Sequence, residues 1–170
     1  EVATDGSSTY KHSFAGKDHA FTLDFRRGEE AENQSRTYTN VFRLPVQPST
    51  GDRQSPSDDL IETELTAEYA RPMAAHAKLL LGYDLQRNDD SFDTRGETVD
   101  PVTGAATVIP ALTSRFLYRQ TVHALYGTYE RLFADKLTAI LGFRVEATAT
   151  DANQVTIAQV DTHVRRYLRS

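Results

Sequence analysis

The chain has 170 residues, a formal charge of −5, 39% hydrophobic residues and no cysteine. That leaves room for one domain and excludes disulfides, cysteine-ligated zinc and thiol catalysis. Its mean hydropathy of −0.51 is low for a compact globule, and the acidic balance, with no basic stripe, argues against nucleic acid as a partner.

No stretch approaches the ~18 apolar residues of a membrane-crossing helix. Spanning strands stay open, because their signal is only alternation over ~10 residues. The opening EVATDGSS has neither a charged nor an apolar leader region. The chain is therefore expected either not to be exported or to be an internal piece of something longer.

Taken in chain order, the pattern is one of strands. HAFTLDF (19–25) puts Phe21, Leu23 and Phe25 opposite Thr22 and Asp24. LIETELTAEYA (60–70) sets Ile61, Leu65, Ala67 and Tyr69 against Glu62, Glu64, Thr66 and Glu68. AHAKLLLGYDL (75–85) sets Ala77, Leu79, Leu81, Tyr83 and Leu85 against His76, Lys78 and Asp84, with Leu80 the exception. FLYRQTVHALYGTYERL (116–132) is less clean, but its Thr, Val, Tyr and Gly content favours strand over helix. KLTAILGFRVEATAT (136–150) alternates best: Leu137, Ala139, Leu141, Phe143, Val145 and Ala147 lie opposite Lys136, Thr138, Gly142, Arg144 and Glu146. Ile140 is its one apolar intruder. Period-two alternation means a strand with an apolar and a polar face.

The fold class is therefore all-β, an antiparallel up-and-down meander. Strands are expected near 7–15, 19–43, 59–70, 75–92, 112–131 and 136–152, with a seventh at 154–168. The stretch 19–43 has no convincing turn; GEEAEN (28–33) offers a hairpin, but one long strand is preferred. Sequence neighbours should pair, since short turns leave no other geometry.

The connections alternate in length. AGKD (15–18), RPMA (71–74) and FADK (133–136) are short. Between them the polar stretches 45–59 and 86–112 are expected to be long loops. A soluble sandwich has no reason to gather its long loops at one end, whereas an outer-membrane barrel does.

The chemistry-bearing residues do not assemble into a site. The five His (12, 19, 76, 123, 163) show no metal spacing. His76 and His123 are expected on polar strand faces as ordinary wall residues. NDDSFD (88–93) puts Asp89, Asp90 and Asp93 close together but lacks the glycine and terminal Glu of a calcium loop. It reads as a solvated acidic loop. There is no nucleophile elbow, phosphate loop or dinucleotide glycine pattern. No enzymatic activity, no catalytic residue, no metal and no cofactor is expected, and no ligand-binding residue can be named. The mixed charges Asp24, Arg26, Glu62, Glu64, Glu68, Lys78, Arg144 and Glu146 suit either a lumen lining or a solvated outer face. Tyr69, Tyr83, Tyr126 and Phe143 suit either an interfacial girdle or a buried core.

Four segments in this order resemble the barrel of TonB-dependent outer-membrane receptors, and more narrowly the outer-membrane β-barrel family. That family's strands read roughly LDYxxPL, KLExGYK, YxExIxAxYxxY and GLRxExT. Tyr69 and Pro72 match the first pattern, and Lys78, Gly82 and Tyr83 the second. Tyr118, His123, Ala124, Tyr126 and Tyr129 fit the third; Gly142, Arg144, Glu146 and Thr148 fit the fourth. The tail THVRRYLRS resembles the run before that family's next strand, so the likeness covers most of 8–168.

The resemblance implies a Gram-negative outer-membrane location and a role in ligand uptake, of a siderophore, an oligosaccharide or similar. It also implies a plug, a TonB box and some twenty-two strands in the whole receptor. This chain then corresponds to a partial barrel without plug, spanning 1–170. The implied partners are the lipid bilayer and, through regions outside the chain, the TonB complex. Open strand edges imply possible self-association. Two other classes fit the residues as well: a soluble β-barrel or sandwich binding a small apolar ligand, and a structural surface domain.

Overall fold

The computed structural model describes residues 1–45, 48–73, 76–133, 137–155 and, as backbone, 159–169. The strands are β1 (Val2–Ser13), β2 (Ala20–Asn33), β3 (Arg36–Asn40), β4 (Thr50–Met73) and β5 (Ala77–Val99). They continue with β6 (Ala106–Val108), β7 (Ser114–Phe133), β8 (Leu137–Gln154) and β9 (Gln159–Arg169). One short 3-10 turn, Pro110–Leu112, interrupts them.

The sheet runs β1-β2-β4-β5-β7-β8-β9, every pair antiparallel. This is the expected meander. β3 pairs with β4 and β6 with β5, off the main path. Among the described residues no second sheet covers either face. Only Ala77 and Ala124 count as buried apolar side chains there, so the alternating faces do not meet in a sandwich core.

The stretch 19–43 is neither a hairpin nor one unbroken strand. β2 and β3 both pair with β4 in a single register, from Ala20↔Ala70 through Asn33↔Ser57 to Arg36↔Gln54 and Asn40↔Thr50. The gap falls opposite Pro56, whose carbonyl accepts from the Gln34 N–H at 2.9 Å. Proline has no N–H to return, so the ladder lapses for two residues and resumes.

The two long polar stretches differ from expectation. Residues 50–59 belong to β4, which is 24 residues long, and 86–99 belong to β5, which is 23. The β4–β5 ladder runs unbroken from Met73↔Ala77 to Gly51↔Val99. Where both faces of a ribbon are wet, alternation no longer separates apolar from polar, and a strand reads as a loop. Cross-strand ion pairs then take over from packing: Arg53 with Glu97 at 3.6 Å and Arg115 with Asp93 at 3.4 Å.

The true loop beyond β5 is short. Asp100 Oδ1 accepts from the Val102 and Thr103 N–H groups at 2.8 and 3.1 Å, and the Gly104 N–H bonds the Asp100 carbonyl at 2.8 Å. These donors hold the Asp100 carboxyl below the usual carboxylate range.

Candidate functional site

Paired residues of an antiparallel sheet share a face, and side chains alternate along each strand. The register therefore sorts every position. The even positions of β2, β3, β4, β5, β7 and β8 form one face and the odd positions the other, with the parity reversed in β1 and β6.

The odd face carries an uncharged band. It comprises the odd positions of 61–69 in β4, 77–85 in β5, 121–129 in β7 and 137–149 in β8. Each run is at least as long as the ~9–11 residues that a spanning strand requires. Within it Tyr83 and His123 are hydrogen-bonded, hydroxyl to Nδ1, at 2.8 Å. Phe143 lies over Gly127, where a Cβ would come within 2.8 Å of its ring. At the short-turn end Phe14, His19 and Tyr69 cluster, with the His19 Nε2 and Tyr69 hydroxyl 2.9 Å apart. Such rings, apolar in body and polar at the tip, suit the edge of an apolar layer.

Above the band, toward the long loops, the same face turns ionic. Arg27 pairs with Glu29 at 2.7 Å, Arg87 with Asp89 at 2.6 Å, and Arg119 also with Asp89. The change falls along neighbouring register rows. Phe25, Leu65, Leu85, His123 and Ala147 share one row; Arg27, Thr63, Arg87, Thr121 and Ala149 share the next.

The even face carries the band's charged side chains, with Leu80, Val122 and Ile140 among them, and holds a connected ladder. Tyr126 lies over Gly82 of β5, where a Cβ would overlap its ring, and donates to Glu68 of β4 at 2.8 Å. Arg144 sits 5.5 Å above the same ring. Its guanidinium donates to Glu146 at 2.7 Å and, across the buried Ala124, to Asp84 at 3.0 Å. Four strands are thus cross-linked by one tyrosine and one arginine, each spanning its neighbour. Exposed pairs of this kind stabilise little singly, but a network with fixed geometry does more.

Several expectations change here. His123 lies on the uncharged face, not the polar one, because it pairs with Leu85 and Ala147. His76 is not in a strand at all. It occupies the turn before β5 with φ of 57°, and its carbonyl accepts from the Leu132 N–H at 3.0 Å. Tyr126 belongs to the polar ladder rather than to an interfacial girdle, while Tyr69, Tyr83 and Phe143 keep to the uncharged face. Asp89, Asp90 and Asp93 do not share a loop: all three lie within β5, with Asp89 and Asp93 on one face and Asp90 on the other. His163 and Lys136 of the expected patterns lie outside the described side chains. The ladder itself is a tertiary feature that the sequence did not reveal, since the register alone sets Gly82 opposite Tyr126.

Beyond the band, the polar face holds an open groove of about 380 Å³, walled by Asp5, Arg26, Glu30, Glu62, Asn88 and Asp90. Arg26 reaches Asp5 at 3.4 Å, and Glu62 accepts from Gln86 at 3.1 Å. Burial, then the neighbouring Asp89 and Glu62, pushes the Asp90 carboxyl above its usual value. The folded state thus holds this proton more tightly than the unfolded chain, so Asp90 costs stability as pH rises through the raised value. Asp90→Asn is expected to increase stability at neutral pH by up to about 0.5 kcal/mol and to leave it unchanged in acid. Denaturant unfolding in lipid vesicles at the two pH values checks this; a variant less stable at neutral pH would contradict it.

Among the described residues no group of His, Asp and Glu is arranged to hold a metal ion, and no helix is long and apolar enough to cross a membrane. The strands are what could cross. One uncharged face of spanning length, a charged opposite face and a strictly sequential antiparallel order define a membrane-spanning β-barrel wall. A family model agrees: residues 12–169 match the outer membrane protein beta-barrel family, and the chain belongs to that family. Its place is the outer membrane. No curated protein matches the chain. In this setting the uncharged face meets lipid and the ladder faces the lumen.

Proposed function

We propose that this chain is part of the barrel of a TonB-dependent receptor, which takes up a ligand such as a siderophore or an oligosaccharide. The observation that carries this reading is the lumenal wall. Within the lipid band it is charged and cross-linked over four strands, by Glu68, Tyr126, Arg144, Asp84 and Glu146 in two adjacent register rows. Such a wall is rigid and wet, as the lining of a ligand path must be. The β4–β5 ribbon supports it further. Its ladder continues from Asp59↔Ser91 to Gly51↔Val99, roughly 26 Å along the strand at ~3.3 Å per residue, outside the band. A projection of that length offers surface for capturing a ligand before passage.

In this reading the chain does no chemistry. It holds a pathway open or closed, and energy reaches it from the TonB complex through other regions of the protein. Uptake of a labelled ferric siderophore and of a labelled oligosaccharide, in cells expressing the intact protein with and without the TonB complex, tests the idea. Accumulation that needs both supports it. Accumulation that persists without the TonB complex would show a passive pore and overturn the reading, as would a lack of uptake for both probes.

A further inference from the structure

The lipid-facing arginines are not alike at the two ends of the band. Toward the long loops, Arg27, Arg87 and Arg119 each form an ion pair within the protein, Arg27 with Glu29 and the other two with Asp89. Toward the short turns the outward face carries Arg71 in β4 and Arg131 in β7. Neither forms an ion pair among the described residues, and no outward strand position at that end holds a described carboxylate.

Both residues stand two positions from the end of their strand, between an outward tyrosine and an outward apolar residue, Met73 in β4 and Phe133 in β7. Arg71 follows Tyr69, and Arg131 follows Tyr129. The Arg131 guanidinium lies 4.9 Å from the Phe133 ring centroid, which holds it on the outer surface. Arg71 pairs with Leu79, and Arg131 with Ala77, from opposite sides of β5. Strand spacing and rise place them roughly 12 Å apart on one outward patch. Two guanidinium groups without an ion pair among the described residues, each next to an outward tyrosine near the short-turn end of its strand, match one chemistry: a phosphate diester held by planar donors above acyl chains.

We propose that Arg71 and Arg131 form a docking surface for anionic phospholipid headgroups in the leaflet at the short-turn end. The charged belt at the opposite end, already satisfied by its own carboxylates, has no such role. The consequence is orientational. Headgroup phosphates pin this rim of the wall at a fixed height, while the loop end is free of that tether.

Electron spin resonance of spin-labelled lipids tests this. The intact protein is reconstituted in phosphatidylcholine vesicles containing a trace of spin-labelled phosphatidylglycerol or spin-labelled phosphatidylcholine. The protein-immobilised fraction should favour phosphatidylglycerol, by up to ~5-fold per arginine. The preference should vanish in R71Q/R131Q, survive in part in R71K/R131K, and stay at the wild-type level in R87Q/R119Q. Should the first variant not fold, the wild type serves: high salt must erode its preference, since the attraction is a screened charge interaction at a wet surface. A preference unchanged in R71Q/R131Q, unchanged by salt, or lost equally in R87Q/R119Q would overturn the proposal.

Discussion

Leu141→Arg is expected to lower the folding stability of the intact protein in lipid vesicles by ~2–4 kcal/mol, the cost of an arginine on the lipid face near the bilayer midplane. Ile140→Arg, one residue away, is expected to change it by no more than about 0.5 kcal/mol. The contrast rests on medium, not on burial. Leu141 is 76% exposed and Ile140 68% exposed in the isolated chain. Leu141 projects from the uncharged face beside Tyr129, whereas Ile140 faces the lumen directly opposite Glu130. An arginine at 140 finds water and a carboxylate across the strand, a pairing worth ~0.2–1 kcal/mol. At 141 it finds hydrocarbon. Urea titration of both variants in vesicles reads the difference, and equal losses would mean that the odd face does not meet lipid. The chain has no native cysteine, so single cysteines at 140 and 141, labelled with water-soluble and lipid-soluble reagents, give a second readout.

How far the sequence carried the fold depends on where alternation has a physical cause. Between Leu137 and Ala147 one face contacts an apolar phase and the other water, so selection writes period two into the residues. There strand, pairing and face were all legible. Beyond the band both faces are wet, and Ser55, Pro56, Ser57, Asp58 and Asp59 sit in β4 with nothing apolar to mark them. Their strand character comes from the ladder to Val99 and its flanking ion pairs, which no local pattern displays. The same limit explains His123. Its polarity suggests the lumen, but register decides the face, and its Nδ1 is satisfied by the Tyr83 hydroxyl from the next strand. The ladder of Glu68, Tyr126, Arg144 and Asp84 joins residues up to 60 positions apart. Nothing in a single sequence reports such a distance.

Gly82 is the keystone of that ladder, and Gly82→Ala is expected to destabilise the barrel wall by ~1–3 kcal/mol, the usual cost of forcing extra carbon into a filled space. The space above Gly82 is occupied by the Tyr126 ring, which lies flat over β5 on its way to Glu68. A methyl group there leaves the ring one escape, rotation about χ1 away from the sheet. That rotation breaks the 2.8 Å bond to Glu68 and withdraws the ring from beneath the Arg144 guanidinium, now 5.5 Å away. Arg144 keeps Asp84 and Glu146, so the damage should stop at the tyrosine. This makes the effect separable by a double-mutant cycle. In a Tyr126→Ala background the ring is already gone, and Gly82→Ala should then cost little, or gain slightly by restricting the unfolded chain. Denaturant unfolding of the two single variants and the double variant in vesicles measures the coupling. Losses that simply add would mean that Tyr126 does not need Gly82, and that the close stacking of ring on strand contributes nothing to the wall.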